Sequence, residues 1–164
     1  EVPADHETAI DGRWVTGPGT AFFDRVTKRF NPLPVIAEDL GIITDDVRAL
    51  MAHYDIAGCR VLLFAFGDDL WDNPHKPHNH VANCVVYTGT HDNNTAAGWF
   101  AEETGPAERR RVEETLGHPT NADQVSWDLC RIALSSKARL SILPVQDILG
   151  LDGRARMNRP ATTK

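Results

Sequence analysis

Cysteine is scarce in this 164-residue chain: Cys59, Cys84 and Cys130 stand far apart and form no C-x-x-C pair. Neither a disulfide framework nor a zinc knuckle is suggested. The three lie in apolar strand-like or helical patterns, so buried, reduced thiols are expected. Long apolar runs are also lacking, and none approaches the length of a membrane span. Positive charge is in deficit, with 17 Lys and Arg against 23 Asp and Glu and a net charge of -6. That argues against a general nucleic-acid or anionic-membrane surface. The basic cluster Arg109-Arg110-Arg111 is flanked by Glu108, Glu113 and Glu114 and reads as a solvated helix face. There is no internal repeat, no low-complexity segment and no signal-peptide pattern after the opening Glu1-Val2-Pro3.

What is present is a hydrophobic content of 41% and a charged content of 24%, the balance of an ordinary globular domain. Residues 1–19 read as loop, punctuated by Pro3, Gly12, Pro18 and Gly19. Phe22, Phe23, Val26 and Phe30 predict a short helix over 20–30, and Leu33 to Ala37 a short buried strand ending in Glu38-Asp39. Thr44, Asp45 and Asp46 make a helix start for the stripe Val47, Leu50, Met51, Tyr54. The run Cys59 to Phe66 predicts a strand covered on both faces. A polar loop over 67–83 leads to a strand over 84–88, then to helices over 95–103 and 106–116. Pro106 suits the first helical position and Gly117 the C-terminal cap. Asn121 and Gln124 resemble a capping box for a helix carrying Val125, Leu129, Ile132 and Ala133. A fourth strand over 139–145 runs into Gln146-Asp147, and the tail from Leu149 is again loop-like.

Strand and helix in series imply a parallel sheet with crossovers, an α/β fold. Each strand ends in polar groups: Glu38/Asp39, Asp68/Asp69, His91/Asp92 and Gln146/Asp147. Loaded strand ends point to one shared site at the C-terminal edge of the sheet. A complete eight-stranded barrel needs about 250 residues, so the length suits about half of one.

Glu38 follows an apolar strand, where desolvation favours a general acid, but it equally fits a carboxylate capping the next turn. Asp92, with Asn93 and Asn94, also fits the cap of the helix that follows. His91 reads as a substrate ligand or an ordinary buried histidine. Two carboxylates aimed at one pocket suit glycoside chemistry and, equally, a metal site. His75, His78 and His80 form a metal-like cluster, but two prolines make it a loop without a fourth ligand nearby, so no metal is expected. Trp99, Phe100 and Trp127 read as core or scaffold, whereas Trp71 sits in a loop beyond a strand end and is a candidate sugar platform.

Several stretches, in order, carry a resemblance: Glu7-Thr8-Ala9-Ile10-x-Gly12-Arg13-Trp14, Pro34 to Gly41 (P-V-I-A-E-D-L-G), Phe64-Ala65-Phe66, Pro77-His78-Asn79, Tyr87 to Asn93 (Y-T-G-T-H-D-N), Leu143 to Asp147 (L-P-V-Q-D) and Arg156-Met157-Asn158-x-Pro160. Together they resemble the 4-α-glucanotransferases (amylomaltases, or disproportionating enzymes), family 77 of the α-amylase-like clan. The resemblance implies a (β/α)₈ TIM barrel, here about strands five to eight with their helices, forming a partial catalytic domain over residues 1–164. It implies transfer of α-1,4-glucan segments between maltooligosaccharides, or to glucose as acceptor, by a retaining double displacement, without a cofactor. By resemblance Glu38 is the general acid/base, Asp92 the transition-state stabiliser and His91 a substrate ligand; His78, Asn79, Gln146 and Asn158 fall in substrate-site motifs. A cytoplasmic location follows from the family together with the reduced cysteines.

The family's nucleophile is an aspartate in an Arg-x-Asp-His-like segment at the end of the fourth strand, and the 164 residues contain no such segment. Asp5, beside His6, aligns just downstream of it, and no apolar strand precedes it. The chain is therefore expected to begin after the fourth strand, to stop before the closing helix, and to need the nucleophile-bearing N-terminal half as partner. A half barrel is expected to leave two strand edges and a core face uncovered. The alternatives are a hydrolase of the same clan and a non-catalytic glucan-binding module.

Overall fold

The computed structural model describes residues 1–68 and 70–162. They pack as two units, one of residues 1–35 and 43–56, the other of 36–42 and 57 onward. In the first unit no helix or strand precedes Gly19. Its helices are α1 (Gly19–Thr27) and α2 (Asp45–His53). Helix α1 stops three residues short of Phe30, and the Thr27 hydroxyl folds back on the Phe23 carbonyl at 2.9 Å. The two helices are joined through rings: Phe23 lies 5.2 Å from Tyr54, whose hydroxyl donates to Asp24 at 2.6 Å. That bond to a carboxylate pushes the Tyr54 phenol up to about 12.

The second unit is built on one four-stranded parallel sheet in the order β1 (Ile36–Ala37), β2 (Ala57–Val61), β3 (Cys84–Tyr87), β4 (Leu140–Ile142). Helices α3 (Ala96–Glu102), α4 (Pro106–Leu116) and α5 (Val125–Ser135) fill the crossover from β3 to β4, and the short α6 (Val145–Ile148) follows β4. The core lies between sheet and helices, where Val61, Leu62, Val86, Val112, Val125 and Leu129 are fully buried. Trp99 and Phe100 join it as expected, with Phe66 and Trp99 5.9 Å apart. Trp127 does not; it is half exposed. On the outer strands Ile36, Leu140 and Ile142 stay substantially exposed, the uncovered edges expected of a partial barrel.

Three predicted strands are shorter than their apolar runs. The run from Cys59 leaves the sheet at Val61 and coils into a 3-10 turn over Leu62–Phe64, all but Phe64 remaining buried. Hydrophobicity reports burial, and a continuous apolar run does not distinguish an extended from a coiled buried segment. Leu33 to Val35 lie outside β1, and the fourth strand ends at Ile142, two residues before Pro144 opens α6. The helix ends are closer to expectation. Pro106 and the left-handed Gly117 (φ 75°) bound α4. At α5 the capping box is replaced by an Asn121 side chain that accepts from the Asp123 and Gln124 amides, while Gln124 reaches Asn121's side chain instead of its backbone. The basic cluster is not merely solvated. Arg109 donates to Thr104 and to the Phe100 carbonyl, and Arg111 to the Phe66 and Gly67 carbonyls, tying α4 to its neighbours.

Candidate active site

A polar pair follows each strand in the sequence, directly after β1, within a few residues of β3 and inside α6 beyond β4, and packing treats the described members of a pair differently. Just beyond β1, Asp39 is tied to β2: its carboxylate accepts from the Cys59 amide at 2.5 Å and from Arg60 at 3.1 Å. Glu38 is exposed, so the desolvation that was one of its two readings is not seen. It lines a 340 Å³ pocket together with Cys59, Tyr87, Gly89, Thr90, His91, Pro144 and Met157. Burial pushes the Tyr87 phenol up to about 12. The sequence alone gives Tyr87 no site role, although as the last residue of β3 it adjoins the turn that carries His91 and Asp92.

After β3 the chain makes a turn closed by Asn93, whose side-chain oxygen accepts from the Thr90 amide and hydroxyl at 2.8 and 2.9 Å. Thr95 caps α3, accepting from Gly98 at 3.1 Å. Both local duties are thus filled by neighbours of Asp92, and the cap reading of Asp92 falls away. Its carboxylate accepts from the Asn158 side chain at 2.6 Å and lies 3.4 Å from His91 Nε2. Arg156 holds this junction, donating to the Asp92 carbonyl at 3.1 Å and the Asn158 carbonyl at 3.2 Å, with Glu103 3.6 Å from its guanidinium. Arg156 stands two residues before Asn158 in the Arg156-Met157-Asn158-x-Pro160 stretch, the sequence signal for its place at this junction.

The remaining candidates divide. Gln146 lines a small hollow with Thr90, Asn93 and Arg156, next to the Asp92 junction. Asp147 is fully buried: it accepts from the Thr88 hydroxyl and, at 2.8 Å, from the Ala96 amide, so it braces the fold instead of facing a site. Burial pushes its carboxyl up. Asp68 is taken up by Asn73 and the Leu70 amide, and Asp69 lies outside the described residues. His78 and Asn79 stand apart from the Glu38 pocket, both donating to the Trp71 carbonyl, at 3.0 and 2.6 Å.

The three loop histidines do not converge. His75 Nδ1 accepts from the Val61 amide at 3.1 Å, and His80 is held between Ser136 at 2.8 Å and the His75 carbonyl at 3.0 Å. Burial pushes both imidazoles down. Among the described residues no group of three or more His, Cys, Asp or Glu is placed to hold a metal ion. The cysteines are free and buried, with burial raising each thiol, Cys130 to about 11. No helix among the described residues is long and apolar enough to cross a membrane.

With this geometry in place, the family described as 4-alpha-glucanotransferase matches residues 1–164. The chain belongs to the 4-alpha-glucanotransferase family. It is 48% identical over 163 residues to the chloroplastic/amyloplastic 4-alpha-glucanotransferase of Oryza sativa subsp. japonica, covering 99% of this chain and 27% of that protein. It is 44% identical over 166 residues to the 4-alpha-glucanotransferase of Thermus thermophilus, covering 98% and 33%. An amylomaltase from Streptococcus agalactiae, solved in complex with acarbose, superposes with a TM-score of 0.89 at 30% identity, covering 98% of this chain and 32% of that one. The sheet and its helices are therefore part of a family α/β barrel, and the chain spans about a quarter to a third of the length of these relatives.

Proposed function

We propose that this chain supplies the acid/base side of a 4-α-glucanotransferase active site, moving α-1,4-glucan segments between maltooligosaccharides or to glucose. The observation that carries the reading is the pocket shared by Glu38, from the end of β1, and Gly89 to His91, from the end of β3. In this reading Glu38 protonates the glycosidic oxygen as the bond breaks. It then takes the proton from the acceptor hydroxyl as the new bond forms. Asp92, oriented by Asn158, stabilises the oxocarbenium-like charge, and His91 holds a sugar hydroxyl. Gln146 lies close enough to the Asp92 junction to serve the same sugar. Retaining transfer needs a nucleophilic carboxylate about 5–5.5 Å from the acid/base. We assign that group to the N-terminal half of the barrel, the partner this half requires. Free, buried thiols suit a reducing compartment, and the cytoplasm is our reading. The plant relatives are named as chloroplastic or amyloplastic, so family membership alone does not choose.

Incubation with maltotriose tests the proposal. The 164 residues alone are expected to give no longer or shorter products. Joined to the N-terminal half of a family barrel they are expected to give both, and Glu38→Gln in that assembly is expected to lower the rate by about 10²–10⁴-fold. Transfer by the 164 residues alone would contradict the nucleophile assignment. Reducing ends without longer products would favour hydrolysis, and sugar binding without either would favour a binding module.

A further inference from the structure

Trp71 is left over by this active site. It is 77% exposed, lies in the loop between β2 and β3, and lines a second hollow of 450 Å³ that shares no wall residue with the Glu38 pocket. An exposed indole on a loop is ordinarily mobile; this one is clamped. The His78 ring is stacked on it at 4.2 Å with 24° between planes. The Trp71 carbonyl accepts from both His78 Nε2 and Asn79 Nδ2, and Asn79 also donates to the Asn73 carbonyl at 2.9 Å. One face of the indole is covered by imidazole and the other is presented.

We infer that Trp71, held on His78, is a platform for a pyranose ring of an α-1,4-glucan bound outside the Glu38 pocket. The inference rests on the glucan reading proposed above and adds a second contact region for the same polymer. An aromatic face pairs with the C–H face of a sugar, while polar side chains around it take the hydroxyls. Around Trp71 those side chains are Lys76, Arg111, Glu114 and Thr115. Charges of both signs suit a neutral polyhydroxyl ligand better than an anion or a cation. Arg111 is itself pinned by the Phe66 and Gly67 carbonyls, so the hollow has a rigid donor as well as a rigid ring. An adjoining hollow of 560 Å³ shares Pro77, His78 and Thr115 with the first, giving an extended surface for more than one sugar. His78 is then a positioning residue, acting through the indole it supports.

The test is a titration of the ¹⁵N-labelled 164-residue chain with maltoheptaose, following the four indole N–H signals, with Trp71 assigned by its loss in Trp71→Phe. The expected result is a saturable shift of the Trp71 signal that persists in His91→Ala. His78→Ala is expected to weaken that binding about tenfold, and His78→Phe to restore it by returning a stacking ring. A fixed Trp71 signal while residues 89–92 respond would overturn the platform and leave the catalytic reading standing. A chain in which neither region responds would overturn the platform as well, with the catalytic reading then decided by the transfer assay.

Discussion

Asp39 and Asp92 are both carboxylates just beyond strand ends, yet their surroundings assign them opposite work. Asp39 is spent on the Cys59 amide and the Arg60 guanidinium, and a Cβ added at Gly58 would collide with its carboxylate. Asp92 is half exposed and bonded to one amide side chain. Asp39→Asn is expected to lower unfolding stability by about 1–3 kcal/mol, because it removes a charge-assisted acceptor from a part-buried pair. Asp92→Asn should move stability by no more than about 0.5 kcal/mol. In the assembled barrel it should nonetheless reduce transfer as severely as Glu38→Gln. Urea titration of both variants beside a maltotriose assay separates the two roles; a large stability loss in Asp92→Asn would count against its catalytic assignment.

At the scale of elements, the start of α3 shows how little of a cap is local. Thr95 serves the Gly98 amide and is visible in sequence as a threonine before an apolar run. The Ala96 amide is served by Asp147, 51 residues away, which also takes the Thr88 hydroxyl. One carboxylate therefore joins the end of β3, the start of α3 and α6. Asp147→Ala leaves a buried amide and hydroxyl without acceptors and is expected to cost about 3 kcal/mol. The matching signature is loss of hydrogen-exchange protection at Ala96 and its neighbours, while α4 keeps its own. Close packing reinforces the joint, since a Cβ added at Gly98 would stand 2.5 Å from Asn94 Oδ1 and 2.7 Å from the Gly153 backbone.

For the whole molecule, pH acts through His75 and His80. Burial is the first cause of the lowered proton affinity of each, and their ordinary value is 6.5. Below that pH the unfolded chain takes up protons that the folded chain refuses. Their contribution is therefore full above pH 6.5 and is lost as pH falls through that value toward the folded one. Asp147 has the opposite sign: its raised carboxyl favours the fold below 3.8, and that benefit fades as pH rises through its folded value. The urea midpoint is expected to drop between pH 7.5 and 5.5. His80→Gln, compared at each pH with its own value at 7.5, should show a shallower drop. An unchanged slope would remove His80 from the account.

The family and the α/β fold were legible one-dimensionally because they are carried by local order. Apolar runs followed by polar pairs marked the sheet's C-terminal edge, Pro106 and Gly117 marked α4, and the ordered stretches marked the family. Strand lengths were not legible, since the burial of Leu62, Leu63, Ala65 and Phe66 is the same whether the backbone is extended or coiled. Nor could sequence divide the polar pairs. Neighbouring side chains point in different directions in strand and helix alike. Which side holds an acceptor's partners depends on residues far along the chain: Arg60 for Asp39, Ala96 for Asp147, Asn158 for Asp92. Residue types and their order determined the family and the polar groups offered beyond the strands; tertiary packing decided which carboxylates are consumed by internal hydrogen bonds and which stay accessible, because hydrogen-bond partners are chosen in space.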